Sequence, residues 1–136
     1  MVPVRFHIDP RSGVAPYLQL VSQVRQAMQL GLLSEGDRLP TVKEVAAQAA
    51  VNPNTVLKAY RDLEHQGLVA PRPGVGTFVT RTLSDASLHQ HEPLRRELLE
   101  WLDKARRLGL SQESVEALVT STLRLHAESR QDEGAT

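Results

Sequence analysis

The chain has 136 residues, 40% of them hydrophobic and 24% charged, which suits one ordinary domain or a small domain with an appendage. Lysine and arginine together number 16, as do aspartate and glutamate, so a bulk polycation is excluded while a local basic face is not. There is no cysteine, which removes disulfides, thiol catalysis and cysteine-type zinc sites, and no apolar run is long enough to span a bilayer.

Residues 1–15 read as an extended arm, in which Val2, Val4, Phe6 and Ile8 alternate with Pro3, Arg5 and His7 before the turn cluster Asp9-Pro10-Arg11-Ser12-Gly13. This opening lacks the charged-then-apolar order of a secretory signal, so a cytoplasmic location is expected. Pro16 suits the first position of a helix, where its missing N–H has no partner anyway. Tyr17, Leu20, Val21, Val24, Ala27 and Met28 then recur at helical spacing up to the stop at Gly31. A connector leads to Thr41-x-x-Glu44, a capping-box pattern opening a short helix with Val42, Val45, Ala46 and Ala49. Val51 lies in a turn, and Asn52 caps a third helix that starts at Pro53, carries the stripe Val56, Ala59, Tyr60 and Leu63, and ends at Gly67. Leu68–Pro71 and Thr77–Arg81 flank the turn Arg72-Pro73-Gly74-Val75-Gly76 and predict a β-hairpin. Residues 82–91 read as a linker. Pro93 opens a fourth helix with Leu94, Leu98, Trp101, Leu102, Ala105 and Leu108 on one face, stopped by Gly109. Ser111 caps a last helix with Val115, Leu118, Val119, Thr122 and Leu125.

The predicted fold is mainly α with a small β-hairpin. It consists of an N-terminal winged helix-turn-helix with its arm at 1–81, a linker at 82–91, a C-terminal two-helix dimerisation tail at 92–128 and a frayed end at 129–136. An aromatic content of only 4% agrees with helical, aliphatic cores. Residues 38–81 hold six basic side chains (Arg38, Lys43, Lys58, Arg61, Arg72, Arg81) against three acidic ones, whereas the segment after them is net acidic. A basic middle beside an acidic tail fits one part facing a polyanion and another facing protein. A helix fits the major groove, and the preceding helix braces it across the backbone. Opposite its core stripe the third helix presents Asn52, Asn54, Thr55 and Lys58. Asparagine can bond adenine bidentately, threonine can meet a thymine methyl or a phosphate, and lysine can meet guanine or phosphate. Gly74 and Gly76 would let the hairpin backbone approach a sugar–phosphate wall. The plainer reading of the same residues is a small helical domain in which Asn52-Pro53-Asn54 is a cap and nothing more.

Residues 35–80 resemble the winged helix of the GntR family of bacterial transcription regulators, from Glu35-Gly36-Asp37-Arg38-Leu39-Pro40 through Tyr60-Arg61-Asp62-Leu63 to Gly74-Val75-Gly76-Thr77-Phe78-Val79. The opening Ile8-Asp9-Pro10-Arg11-Ser12-Gly13 with Pro16-Tyr17-Leu18, and Asn52-Pro53-Asn54-Thr55-Val56, are similar to the YtrA subfamily, whose regulators carry a short helical tail. The resemblance implies DNA contacts from Arg38, Thr41, Lys43, Asn52, Asn54, Thr55, Lys58, Arg72 and the wing-tip Gly74. Two positions depart from the family. Lys43 stands where many members have arginine, keeping the charge but losing the bidentate fork. Pro53 stands where many members read guanine with arginine, so that contact does not carry over.

A two-helix tail is too small to bury a core alone. Leu94, Leu98, Trp101, Leu102, Ala105 and Leu108, with Val115, Leu118, Val119 and Leu125, are therefore expected to form a homodimer, the rival being an intramolecular clamp. The expected function is a regulator, by resemblance a repressor, that binds a palindromic DNA operator as that homodimer. The alternative is a helical protein–protein adaptor whose winged helix no longer binds DNA. His89-Gln90-His91 has no acidic partner at evident spacing, so no metal site is expected. No catalytic constellation and no cofactor is expected either, and the residues leave open whether a small-molecule effector takes part.

Overall fold

The computed structural model describes residues 4–83 and 88–134, with the backbone alone for 88–90. It divides into two compact units, Met1–His91 and Glu92–Thr136.

The first unit is built on three helices: α1 (Pro16–Gln29), α2 (Val42–Ala49) and α3 (Pro53–His65). Their apolar stripes face one another. Leu20, Val24 and Met28 of α1, Val45 of α2 and Val56 and Leu63 of α3 are all buried in one core. The helix ends follow from the sequence. Pro16 opens α1 and Pro53 opens α3, while Thr41 Oγ1 accepts from the Glu44 N–H at 3.1 Å to cap α2. α1 and α3 stop in the same way, on a glycine with positive φ (Gly31, Gly67) followed by leucine. The Leu32 N–H reaches the Ala27 carbonyl and the Leu68 N–H reaches the Leu63 carbonyl, which is the Schellman closure. Between α2 and α3 the turn is tighter, with Ala50 itself left-handed at φ 55.

After α3 the chain forms β1 (Val69–Arg72) and β2 (Gly76–Val79), paired antiparallel with Val69 opposite Val79 and Arg72 opposite Gly76. The segment expected to be a plain connector also joins this sheet. Gly36 and Leu39 donate to the Val79 and Thr77 carbonyls, Val79 donates to the Asp37 carbonyl, each at 2.8 Å, and Arg38 sits opposite Phe78. β2 is thus the middle of three paired segments.

The arm is docked on the helices. Phe6 is buried in the core, with Val4 and Ile8 packed against it. Two glutamines one turn apart on α1 grip its backbone: Gln23 bonds both the N–H and the carbonyl of His7, and Gln19 does the same for Asp9. Gln48 of α2 accepts from the Phe6 N–H at 2.8 Å. The arm's apolar residues therefore serve their own core. Val2 and Pro3 lie outside the described residues.

α4 (Leu88–Arg107) begins in the last residues of the first unit, and its remainder forms the second unit with α5 (Gln112–Gly134), to which it is joined by a turn in which the Leu110 N–H bonds the Ala105 carbonyl and Ser111 Oγ accepts from the Ser114 N–H. Two expectations are corrected here. α4 begins at Leu88 instead of Pro93, taking residues 88–91 out of the expected linker. Residues 88–92 contain neither glycine nor proline, so the helix extends back past Pro93 at the loss of one backbone bond near its start. α5 continues through Gly134 where a frayed end was expected from residue 129, because Ser129-Arg130-Gln131-Asp132-Glu133 contains no helix breaker. Residues 84–87 of the expected linker and the last two residues lie outside the described residues.

Candidate nucleic-acid interface

The inward side of α3 is fixed by its packing on α1, α2 and β1. Tyr60 adds a polar tie, its hydroxyl donating to the Pro40 carbonyl at 2.5 Å. Burial, and secondarily the negative charge of Glu44, push the Tyr60 phenol above its ordinary pKa, so it stays a donor. With Val56, Ala59, Tyr60 and Leu63 turned inward, Asn54, Leu57, Lys58 and Arg61 are left exposed on the outward side. This arrangement is a helix-turn-helix with its second helix presenting a largely polar, cationic face.

The structure sorts the candidate residues. The Asn54 side chain is exposed. Asn52 Oδ1 accepts from the Asn54 N–H at 2.8 Å, which caps α3 and uses one of the oxygen's two lone pairs. Thr41 likewise uses Oγ1 as a cap acceptor, and its hydroxyl proton remains as a donor. Thr55 is half-buried on the flank of α3. Lys43 is exposed in the first turn of α2. The Lys58 ammonium stands 4.0 Å from the centre of the Tyr17 ring, a cation–π contact that links α3 to the first turn of α1. Leu57 and Arg61, the latter expected only as part of the basic middle segment, were not among the expected contact residues. Their signal was available, since both fall outside the buried stripe at helical spacing.

The wing carries the remaining cations on its outer face. Side chains alternate across a strand, so Val79 and its partner Val69 point into the core while Phe78 and its cross-strand partner Ala70 point the other way. The Arg72 guanidinium lies 4.5 Å from the Phe78 ring centre. Arg38, opposite Phe78, extends over Gly76, where an added Cβ would sit 2.8 Å from the arginine Nε. Gly74 turns the wing tip at φ 75, with open space where a side chain would be. One arginine thus stands on the Phe78 ring and another over Gly76, beside an exposed tip, a geometry suited to holding phosphate oxygens.

The sequence pattern of the family described as "Bacterial regulatory proteins, gntR family" matches residues 16–79, which run from the start of α1 to the end of the wing. The chain is 35% identical over 95 residues to the HTH-type transcriptional repressor YtrA of Bacillus subtilis, spanning 70% of this chain and 73% of the relative. The chain belongs to the GntR family. It is a DNA-binding transcription regulator of that family and not an enzyme. Among solved structures, YtrA from Sulfolobus acidocaldarius, a GntR-family transcription factor, aligns with a TM-score of 0.52 at 28% identity, covering 71% of this chain and 95% of that one. The AraR DNA-binding domain in complex with operator ORX1 aligns with a TM-score of 0.51 at 30% identity, covering 55% of this chain and 93% of that one.

The tail residues expected in a dimer are placed differently from one another. Leu94, Leu98, Leu108, Leu118 and Leu125 are exposed, Trp101 stands at 36%, and Leu102, Val115 and Val119 are half-buried. Ala105 is already buried in the single chain, so it offers a partner nothing, which corrects its inclusion in the dimer set. Leu99 and Leu123 are exposed apolar residues that the sequence stripe left out. Leu98, Trp101, Leu118, Val119, Thr122 and Leu123 line an apolar groove of about 380 Å³ within this unit. Of the two expected linker histidines, both fall in α4, and His91 Nδ1 lies 3.0 Å from the Leu30 carbonyl oxygen.

Proposed function

We propose that this GntR-family regulator is a cytoplasmic repressor that binds a palindromic DNA operator as a homodimer through α4 and α5. The observation that carries the reading is the outward side of α3, where Asn54, Lys58 and Arg61 stand exposed on a helix braced by α2. Asn54 supplies base reading, and Lys43, Arg38 and Arg72 supply phosphate contacts that set register. Thr41, through its remaining hydroxyl proton, Asn52 through its amide nitrogen, and Thr55 complete the contact set, with Gly74 at the wing tip. A Bacillus subtilis relative named as a repressor supports repression, and a neighbouring domain bound to its operator supports operator binding. Support for a homodimer comes from α5, on which no residue is buried in the single chain, and from the exposed leucines of α4. Among the described residues no helix is long and apolar enough to cross a membrane.

The test is a pair of variants titrated against an operator enriched from random duplexes. Asn54→Ala should lose about 1–3 kcal/mol on the operator and little on scrambled DNA. Lys43→Ala should weaken both alike and reduce the salt slope by about one. Equal losses on both DNAs for Asn54→Ala would remove α3 as the reading element.

A further inference from the structure

Leu57 lies on the exposed side of α3, 37% accessible, with Asn54 one turn before it and Arg61 one turn after. An exposed leucine on an ordinary surface needs no explanation. On a face that meets base edges it has a chemical consequence. Its branched end offers no hydrogen bond to a base or a phosphate, and it displaces water from whatever it covers. The base edges of the major groove present donors, acceptors and one apolar group, the 5-methyl of thymine. Thr55, the other residue able to meet that methyl, is half-buried at the flank of the helix. Lys58 is engaged above Tyr17 at 4.0 Å. Asn54, Leu57 and Arg61 therefore form the free row along α3, polar, apolar and cationic in turn.

We propose that Leu57 reads the 5-methyl group of a thymine in each operator half-site. The proposal rests on the operator-binding reading above. It gives that reading a residue that selects by apolar contact alone, and it requires a thymine at a fixed position of the half-site.

The test replaces each thymine of the enriched operator singly by uracil, which removes the methyl and leaves every hydrogen-bonding group in place. At one thymine per half-site the full-length protein should bind about four-fold more weakly, the effect of uncovering one methyl group. Leu57→Ala, which removes the contact in both half-sites, should bind the thymine and singly substituted uracil duplexes alike, at the level of the unaltered protein on a duplex with uracil at that position in both half-sites. Leu57→Met, which keeps the apolar reach, should retain the preference. A residue with only a structural role would shift both duplexes equally. The proposal is overturned if no thymine is sensitive, or if the sensitivity survives in Leu57→Ala. Either result leaves operator binding standing. Failure of the unaltered protein to enrich any sequence would defeat operator binding and this proposal with it.

Discussion

Tyr60 shows how one side chain ties the reading helix to the rest of the domain. Its ring is buried in the core, and its hydroxyl holds the Pro40 carbonyl just ahead of α2. Tyr60→Phe keeps the ring and removes the bond, so stability should fall by about 1 kcal/mol, read from denaturant midpoints at neutral pH. The raised phenol pKa adds a pH signature. The unfolded chain ionises near the ordinary value of 10.0, whereas the folded chain resists, so the contribution is complete below that pH and is lost as pH rises above it. Tyr60→Phe should accordingly flatten the alkaline limb of the stability profile, and an unchanged limb would remove the tie. Side-chain roles of this kind were partly legible. Asn52 was readable as a cap because asparagine before proline at a helix start has a local chemistry. Which N–H its side-chain oxygen takes was not, since that depends on the local backbone geometry. The glutamines that grip the arm left no pattern in the sequence, because a long-range bond to backbone imposes no spacing.

The wing tests the account at the level of an element. Gly74 and Gly76 both need positive φ, yet their surroundings differ. An alanine at Gly74 meets open space, so Gly74→Ala should cost about 1–2 kcal/mol from backbone strain alone. At Gly76, with φ 145, the added Cβ would collide with Arg38 Nε at 2.8 Å. Gly76→Ala should therefore push aside the flexible end of Arg38, the arginine proposed to bind phosphate, at little added cost in stability and with a larger loss of operator affinity than Gly74→Ala. Thermal melts and DNA titrations of the two variants check both outcomes, and the reverse order of affinity loss would contradict the packing of Arg38 on the wing. Helices α1 to α3 were legible because apolar periodicity and end signals agreed. The pairing of residues 36–39 with β2 was hidden, since it consists of backbone bonds that any side chains permit. The start of α4 was misplaced because proline favours a helix start without requiring one.

For the whole molecule, the tail stripes were legible in sequence while their burial was not, because periodicity reports which face is apolar and says nothing of what covers it. Leu98 and Trp101 border the α4–α5 groove and are exposed in the single chain. Replacing both by glutamate should leave each unit folded and yield a monomer in sedimentation. Affinity for the full palindrome should then drop toward that for a half-site, about 100-fold or more, as linked binding is lost. A variant that remains dimeric would place the interface elsewhere. Two recognition helices about 34–36 Å apart are what a palindrome of one-turn spacing demands. Selection of one DNA sequence through α3, with phosphates held by the wing and α2, is checked most directly by titrating the full-length protein against its enriched operator and a scrambled duplex of equal length over a range of salt. Binding to the operator should be at least about 10³-fold tighter at physiological salt, and log affinity should fall linearly with log salt on both duplexes. Equal affinity for the two duplexes, or affinity independent of salt, would contradict it.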